Sequence, residues 1–142
     1  MAVTENEDAK AILKKHKLRV TPMRMEVLNV FLSNSSNALS NQQFESEIEV
    51  TDRVTLYRTL KTFQKNGIIH EVLDGSGASK YALCHHDCSS HEHLDNHAHF
   101  HCITCEKTIC LEEIETPEIT LPKGFSSSES YLVFKGVCET CK

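Results

Sequence analysis

At 142 residues the chain has room for one ordinary domain or two small ones. It has no 18-residue apolar run, and its polar opening from Met1 to Lys10 lacks an apolar signal core, so the expectation is a cytoplasmic protein with no membrane partner. The net charge of −5 is unevenly spread: residues 1–81 hold 11 Lys/Arg against 10 Asp/Glu, and residues 82–142 hold 4 against 10, so nucleic acid is not excluded as a partner of the first part.

In chain order, residues 8–17 predict a short helix with a basic flank. Thr21-Pro22 predicts a helix start, because Thr can cap exposed amides and Pro needs no amide partner in a first turn. Met23, Val27, Val30 and Phe31 follow at helical spacing, and the polar run 33–37 ends that helix. A weaker helix covers about 40–48, anchored by Phe44 and Ile48. The clearest helix spans 52–66: Asp52 can cap it, Leu56, Leu60 and Phe63 make one apolar stripe, and Asn66-Gly67 stops it. Tyr57, Arg58, Lys61 and Lys65 lie off that stripe. Strands near 68–73 and 79–83 flank a glycine-rich turn, 74–77.

Helices followed by a hairpin make a winged helix, whose last two helices form a helix-turn-helix with 52–66 as the reading helix. Periodicity alone also allows a plain amphipathic surface helix with solvated lysines. Further strands are expected at 99–104, 107–111 and 131–136, in a small unit needing a metal or a partner to stay folded.

Seven Cys and nine His are a heavy load for this length. An odd cysteine count and two CxxC pairs argue against a disulfide framework and for a borderline-soft metal such as zinc. Cys102-x-x-Cys105 and Cys138-x-x-Cys141 suit a closed four-thiolate structural zinc site. The rival readings are two disulfides or a redox pair, but neither CxxC sits between a strand and a helix start. A looser constellation includes His70, Cys84, His85, His86, Cys88, His91, His93, His97, His99, His101 and Cys110. In it His97-x-His99 places two imidazoles on one side of a strand. A nonspecific metal-scavenging tract remains the alternative for that stretch.

Five segments, in order, resemble the ferric uptake regulator family of repressors. They are Leu18-Arg19-Val20-Thr21-Pro22-Met23-Arg24, Val54-Thr55-Leu56-Tyr57-Arg58-Thr59-Leu60, Lys65-Asn66-Gly67-Ile68-Ile69, His97-x-His99-x-x-Cys102-x-x-Cys105, and Gly136-Val137-Cys138-x-x-Cys141. The resemblance implies an α+β chain, with a winged-helix DNA-binding domain over 1–83 and a small α/β dimerisation domain with the structural zinc over 84–142. It also implies a homodimer that binds palindromic AT-rich double-stranded DNA when its regulatory metal is bound, with no small-molecule substrate. Tyr57 and Arg58 would then work at the DNA, with Thr55 in the same segment, Lys61 beside them, and Arg19 and Arg24 on the backbone.

Iron- or peroxide-sensing members usually take a histidine from the loop before the third helix, where this chain has Asn37. The zinc-sensing branch draws on positions that align with His70, Cys84, His97 and His99. One sulfur and three nitrogens suit Zn(II), whereas an N/O-rich set suits Fe(II). The family pattern is loosest between Cys84 and His97, so Cys88, His91, His93 or the extra Cys110 are possible substitutes. A further family site would need ligands at Asn96 and Ala98, which cannot supply them, so none is expected.

An enzyme is not expected. The zinc-deaminase pattern needs H-x-E and P-C-x-x-C, and the residues before the two CxxC pairs are His101 and Val137. His91-Glu92-His93 lacks the spacing of H-E-x-x-H. A metal-buffer role for residues 84–101 is the other alternative, but it leaves the 52–66 helix without a purpose.

Overall fold

The computed structural model describes residues 2–34, 37–48, 53–83, 97–128 and 130–142. In chain order these form α1 (Ala2–Lys15), α2 (Pro22–Ser33), β1 (Asn37–Ser40), α3 (Asn41–Glu47), α4 (Arg53–Lys65), β2 (Ile69–Val72), β3 (Lys80–Leu83), β4 (His97–Cys102), β5 (Thr108–Glu115) and β6 (Val133–Gly136).

The local signals account for most boundaries. The Thr21 hydroxyl accepts from the Arg24 amide at 3.3 Å to start α2. Ser40 and Gln43 cap α3 reciprocally: the Gln43 amide donates to Ser40 Oγ at 3.4 Å, and the Ser40 amide donates to Gln43 Oε1 at 2.8 Å. At the end of α4 the Ile68 amide reaches back to the Phe63 carbonyl (2.9 Å) and the Gly67 amide to that of Gln64 (3.2 Å). This closure needs the positive φ of 77° that Gly67 adopts without strain. The Asp52 cap expected for α4 lies outside the described residues.

Two elements differ from expectation. Helix α1 starts at Ala2 rather than residue 8, and ends two residues early because Lys17 turns left-handed (φ 58°). Its first turns carry no apolar stripe, so burial periodicity could not reveal them. Strand β1 falls where the sequence predicts the end of a polar run and the start of a helix. A four-residue strand has too little pattern of its own, and only its neighbours define it. In the second half the described elements are strands alone, and residues 84–96 lie outside the described residues.

The main core gathers Ala9 and Leu13 of α1, Val27, Leu28, Val30 and Phe31 of α2, Phe44 of α3, and Leu56, Leu60 and Phe63 of α4. These pack against Leu39, Ile69, Tyr81 and Leu83 of the strands. Phe31 and Phe44 meet edge to face, with ring centroids 4.9 Å apart. Arg53 Nε lies 3.3 Å from Glu45 Oε1, linking α4 to α3.

All six strands share one sheet, in the order β2-β3-β1-β5-β4-β6. Strand β1 is the splice: it pairs antiparallel with β3 (Leu39↔Tyr81) on one side and with β5 (Asn37↔Ile109, Ala38↔Thr108) on the other. A second, small apolar cluster of Ala38, Val72, Ala82 and Cys110 sits at this splice. The helical half and the C-terminal half therefore share a backbone ladder and a patch of core. Among the described residues no helix is long and apolar enough to cross a membrane.

Phe63 and Tyr57 lie on the same helix, one fully buried and the other about half exposed. Phe63→Ala should lower unfolding free energy by about 3–5 kcal/mol, the cost of a large core cavity. Tyr57→Ala should change it by no more than about 0.5 kcal/mol. Chemical denaturation at fixed metal concentration measures both.

Candidate metal centres and nucleic-acid interface

Among the described residues two groups of side chains bring metal-ligand atoms together, each within a span of 4.8 Å: Cys102, Cys105, Cys138 and Cys141; and His70, His97, His99 and Cys110.

The first group is assembled by the parallel pairing of β4 with β6, which sets Cys102 opposite Gly136 and so brings the two CxxC turns side by side. The approach is close: a Cβ at Gly136 would stand 3.3 Å from the Phe100 ring, so the ring would have to shift slightly. The Ile103 amide donates to the Gly136 carbonyl at 2.8 Å and fixes the approach. Cys102 is buried; its Sγ accepts from the amides of Cys105 (3.5 Å) and Cys138 (3.4 Å). Those two amides hold the Cys102 thiol well below its ordinary value. Cys141 is pushed the other way, chiefly by sharing a proton with Cys138. Four adjacent thiols cannot all ionise without a cation among them. The Cys105 and Cys138 sulfurs are 3.8 Å apart. That is about the edge of a tetrahedron with ~2.3 Å zinc–sulfur bonds. The described cysteines form no disulfide. The donor set fits a closed structural zinc site.

The second group joins the β2–β3 hairpin to the β4–β5 ladder. His70 comes from β2, His97 and His99 from β4, and Cys110 from β5 as the cross-strand partner of His99. A register shift between His97 and Ala98 lets His97 pair with Glu115 while Ala98 pairs with Leu111. Such bulges re-aim side chains, and here the His97 ring comes to 4.7 Å from that of His99 and 5.3 Å from that of His70. The Nε2 atoms of His70 and His99 are 3.3 Å apart. All four residues are buried, and Cys110 also packs with Ala38, Val72 and Ala82. Tetrahedral zinc places nitrogen and sulfur donors roughly 3.3–3.8 Å apart. Small side-chain movements from the present span would suffice, so three imidazoles and one thiolate fit the ion.

Of the four regulatory residues expected from the sequence, the structure brings His70, His97 and His99 together. Cys84 lies outside the described residues, as do Cys88, His91 and His93. Among the described residues the sulfur beside the three histidines is that of Cys110, which the sequence offered only as a substitute. Its signal was present: Cys110 and His99 fall on paired strands, but the register that aligns them is not readable from spacing.

The DNA-facing candidates lie on α4 and around the start of α2. Thr55, Tyr57, Arg58 and Lys61 are exposed along α4, and Arg19 is exposed ahead of α2. Arg24 is half-buried, its guanidinium donating to the Arg19 carbonyl at 2.8 Å. Lys61 Nζ stands 5.4 Å from the Tyr57 ring centroid and 5.9 Å from that of Tyr81. Attraction to the Tyr81 phenol keeps its ammonium firmly protonated.

The model of the ferric uptake regulator family matches residues 15–130. The chain belongs to the ferric uptake regulator family. Members are transcriptional regulators rather than enzymes, so this chain is a metal-responsive, DNA-binding repressor of that family. It is 28% identical to the ferric uptake regulation protein of Synechococcus elongatus, over 94% of this chain and 92% of the relative. It is 26% identical to the peroxide-responsive repressor PerR of Staphylococcus epidermidis, over 97% of this chain and 91% of that one. Its fold is similar to that of a zinc uptake regulator solved with zinc and DNA, with a TM-score of 0.63 and 23% identity, covering 95% of this chain and 91% of the other.

Family membership and the four-cysteine geometry together set an expected outcome. The purified protein should hold one tightly bound zinc per chain at Cys102, Cys105, Cys138 and Cys141. Cys138→Ser should lose that ion and much of the thermal stability, because structural zinc binding is folding free energy. Elemental analysis with circular-dichroism melting checks it.

Proposed function

We propose that this family member is a zinc-responsive repressor, with His70, His97, His99 and a thiolate as its regulatory ligands. The observation that carries this reading is the donor set itself. One sulfur and three nitrogens gather in a buried, apolar-floored space between the hairpin and the β4–β5 ladder. Thiolate and imidazole in fourfold coordination favour Zn(II), whereas Fe(II) favours more ligands and more oxygen. Asn37, at the place where iron- and peroxide-sensing relatives carry a histidine, sits half-buried on β1 and offers only an amide.

A bound ion would cross-link the hairpin to the ladder. The rest is the work of the chain's own residues. Residues 1–83 form the winged-helix reading domain and residues 84–142 the pairing domain of a homodimer. Helix α4 runs through the Gly67 turn directly into β2, so the strand carrying His70 also sets where Thr55, Tyr57 and Arg58 stand. Two such helices in a dimer must span half-sites about one DNA turn apart, and a fixed hairpin makes that spacing reproducible. Tyr57 offers a ring edge to thymine methyls, while Arg58, Lys61, Arg19 and Arg24 supply phosphate contacts. A coupling of about 1–3 kcal/mol, usual for allosteric linkage, changes operator affinity several-fold to a hundredfold.

The decisive measurement is binding to AT-rich palindromic DNA by fluorescence anisotropy, titrated separately with buffered Zn(II) and Fe(II). Zn(II) should tighten binding at least several-fold. Cys110→Ser and Cys84→Ser, compared side by side, identify the thiolate: the ligand's variant loses the zinc response while keeping its structural zinc. Activation by Fe(II) but not by Zn(II) would overturn the reading in favour of an iron sensor.

A further inference from the structure

Asp74 opens the turn between β2 and β3, a place where an acidic side chain ordinarily points to water. Here its side chain is completely buried. Oδ1 accepts from the Ser76 amide at 2.8 Å, which shapes the turn itself. Oδ2 faces the other half of the molecule. It accepts from the Thr108 hydroxyl of β5. Lys80 Nζ stands 2.6 Å from it and His101 Nδ1 of β4 3.4 Å.

The partners are themselves tied together. Lys80 Nζ donates to Thr108 Oγ1 at 3.1 Å and to the Glu106 carbonyl at 3.3 Å, and His101 Nδ1 lies 3.0 Å from Thr108 Oγ1. The Thr108 hydroxyl thus uses its one proton toward Asp74 and its lone pairs toward Lys80 and His101. Burial works to raise the pKa of Asp74, but hydrogen bonds from Lys80, Ser76 and Thr108 outweigh it and keep the carboxylate ionised. Lys135 of β6 closes over the same turn, so near to Gly75 that a Cβ there would collide with its ammonium.

The Ser76 bond and the Asp74–Lys80 pair lie within the hairpin and His101–Thr108 within the β4–β5 ladder; the remaining contacts run from the hairpin to the β4–β6 half. Their place on the ladders is what gives them a role. His101↔Thr108 lies two residues along from His99↔Cys110 on the β4–β5 ladder. On the hairpin, Lys80 is likewise two residues from Ala82, the partner of His70. The polar cluster and the metal-ligand cluster are therefore neighbours on both ladders.

We propose that Asp74 is the positioning residue of the regulatory metal centre. From the hairpin turn it latches the strand bearing His70 onto the ladder bearing His97, His99 and Cys110, so the four donors are assembled before an ion arrives. This rests on the reading of that cluster as the regulatory site. The apparent affinity of a site scales with the fraction of molecules in which it is assembled. An open latch lowers that fraction and weakens metal binding by the same factor. An ordinary buried ion pair would affect global stability without singling out this site or this interface.

The test uses the full chain with its structural zinc in place, as Asp74→Asn, Thr108→Val and the double variant. In protein not loaded at the regulatory site, backbone amides of β1, β3 and β5 should exchange hydrogen faster in each variant, while those of α2 and α4 hardly change. Zn(II) titration against a chromophoric chelator should show regulatory-site affinity falling by about 5- to 100-fold, the usual span of coupling between sites. The structural zinc should remain at one per chain. The two substitutions should combine less than additively, because they open the same latch. Should Asp74→Asn fail to fold, Thr108→Val carries the test, since it keeps the ion pair and removes a single hydroxyl. Unchanged Zn(II) affinity in a folded variant overturns the proposal, whether or not exchange at the splice has quickened. Failure of the zinc-responsive reading is visible separately, as wild-type operator binding indifferent to Zn(II).

Discussion

The β4–β5 ladder turns a two-residue repeat into two adjacent polar sites beneath one hairpin. Side chains alternate across a strand, so His99 and His101 share a face, and their cross-strand partners Cys110 and Thr108 share it with them. Covering that face with the β2–β3 hairpin buries groups that water would otherwise satisfy. Such groups need partners inside the protein. At one pair the partner is a carboxylate delivered by Asp74; at the next it is a set of imidazole and thiol donors suited to a cation. A buried charged network and a buried cluster of donors suited to a cation are two solutions to the same desolvation problem, side by side.

Strand β1 gives this arrangement its mechanical character. It is four residues long, and its ladder with β5 contains only two residue pairs. The splice between the two halves is thus continuous but thin, and the apolar patch around Ala38, Val72, Ala82 and Cys110 is small beside the helical core. A junction of this kind opens at much lower cost than either half unfolds. Its geometry can therefore be biased by a few additional contacts, which is what a ligand-responsive protein requires of the boundary between its parts.

Packed elements flank this junction on both sides. The four-cysteine cluster fixes β4 to β6 at one end of the ladder. At the other end α4, packed through Leu56, Leu60 and Phe63, turns at Gly67 straight into the strand carrying His70. The exposed Tyr57, Arg58 and Lys61 are separated from the buried histidines by one tight turn and a few residues, with no flexible linker between. Similarity to iron-, peroxide- and zinc-named relatives alike fits a shared scaffold in which the donor set, rather than the fold, distinguishes the metal.

Much of this was legible in the residues themselves. Capping by Thr21, the apolar stripe of α4, its Asn66-Gly67 stop and the paired CxxC turns are local signals, and the structure places each element within a few residues of where they pointed. The chain also declared its metal chemistry through composition, and the order of its motifs gave its family. What no local pattern could give was register. Strand β1 exists only because β3 and β5 flank it, Cys110 joins the histidines only because it faces His99 across a ladder, and Asp74 reads as an ordinary turn residue until β4 and β5 close over it. Periodicity reports which face of an element is buried, whereas the identity of the neighbour across the interface depends on long-range pairing. Here that pairing alone brought Cys110 and Asp74 between the two halves.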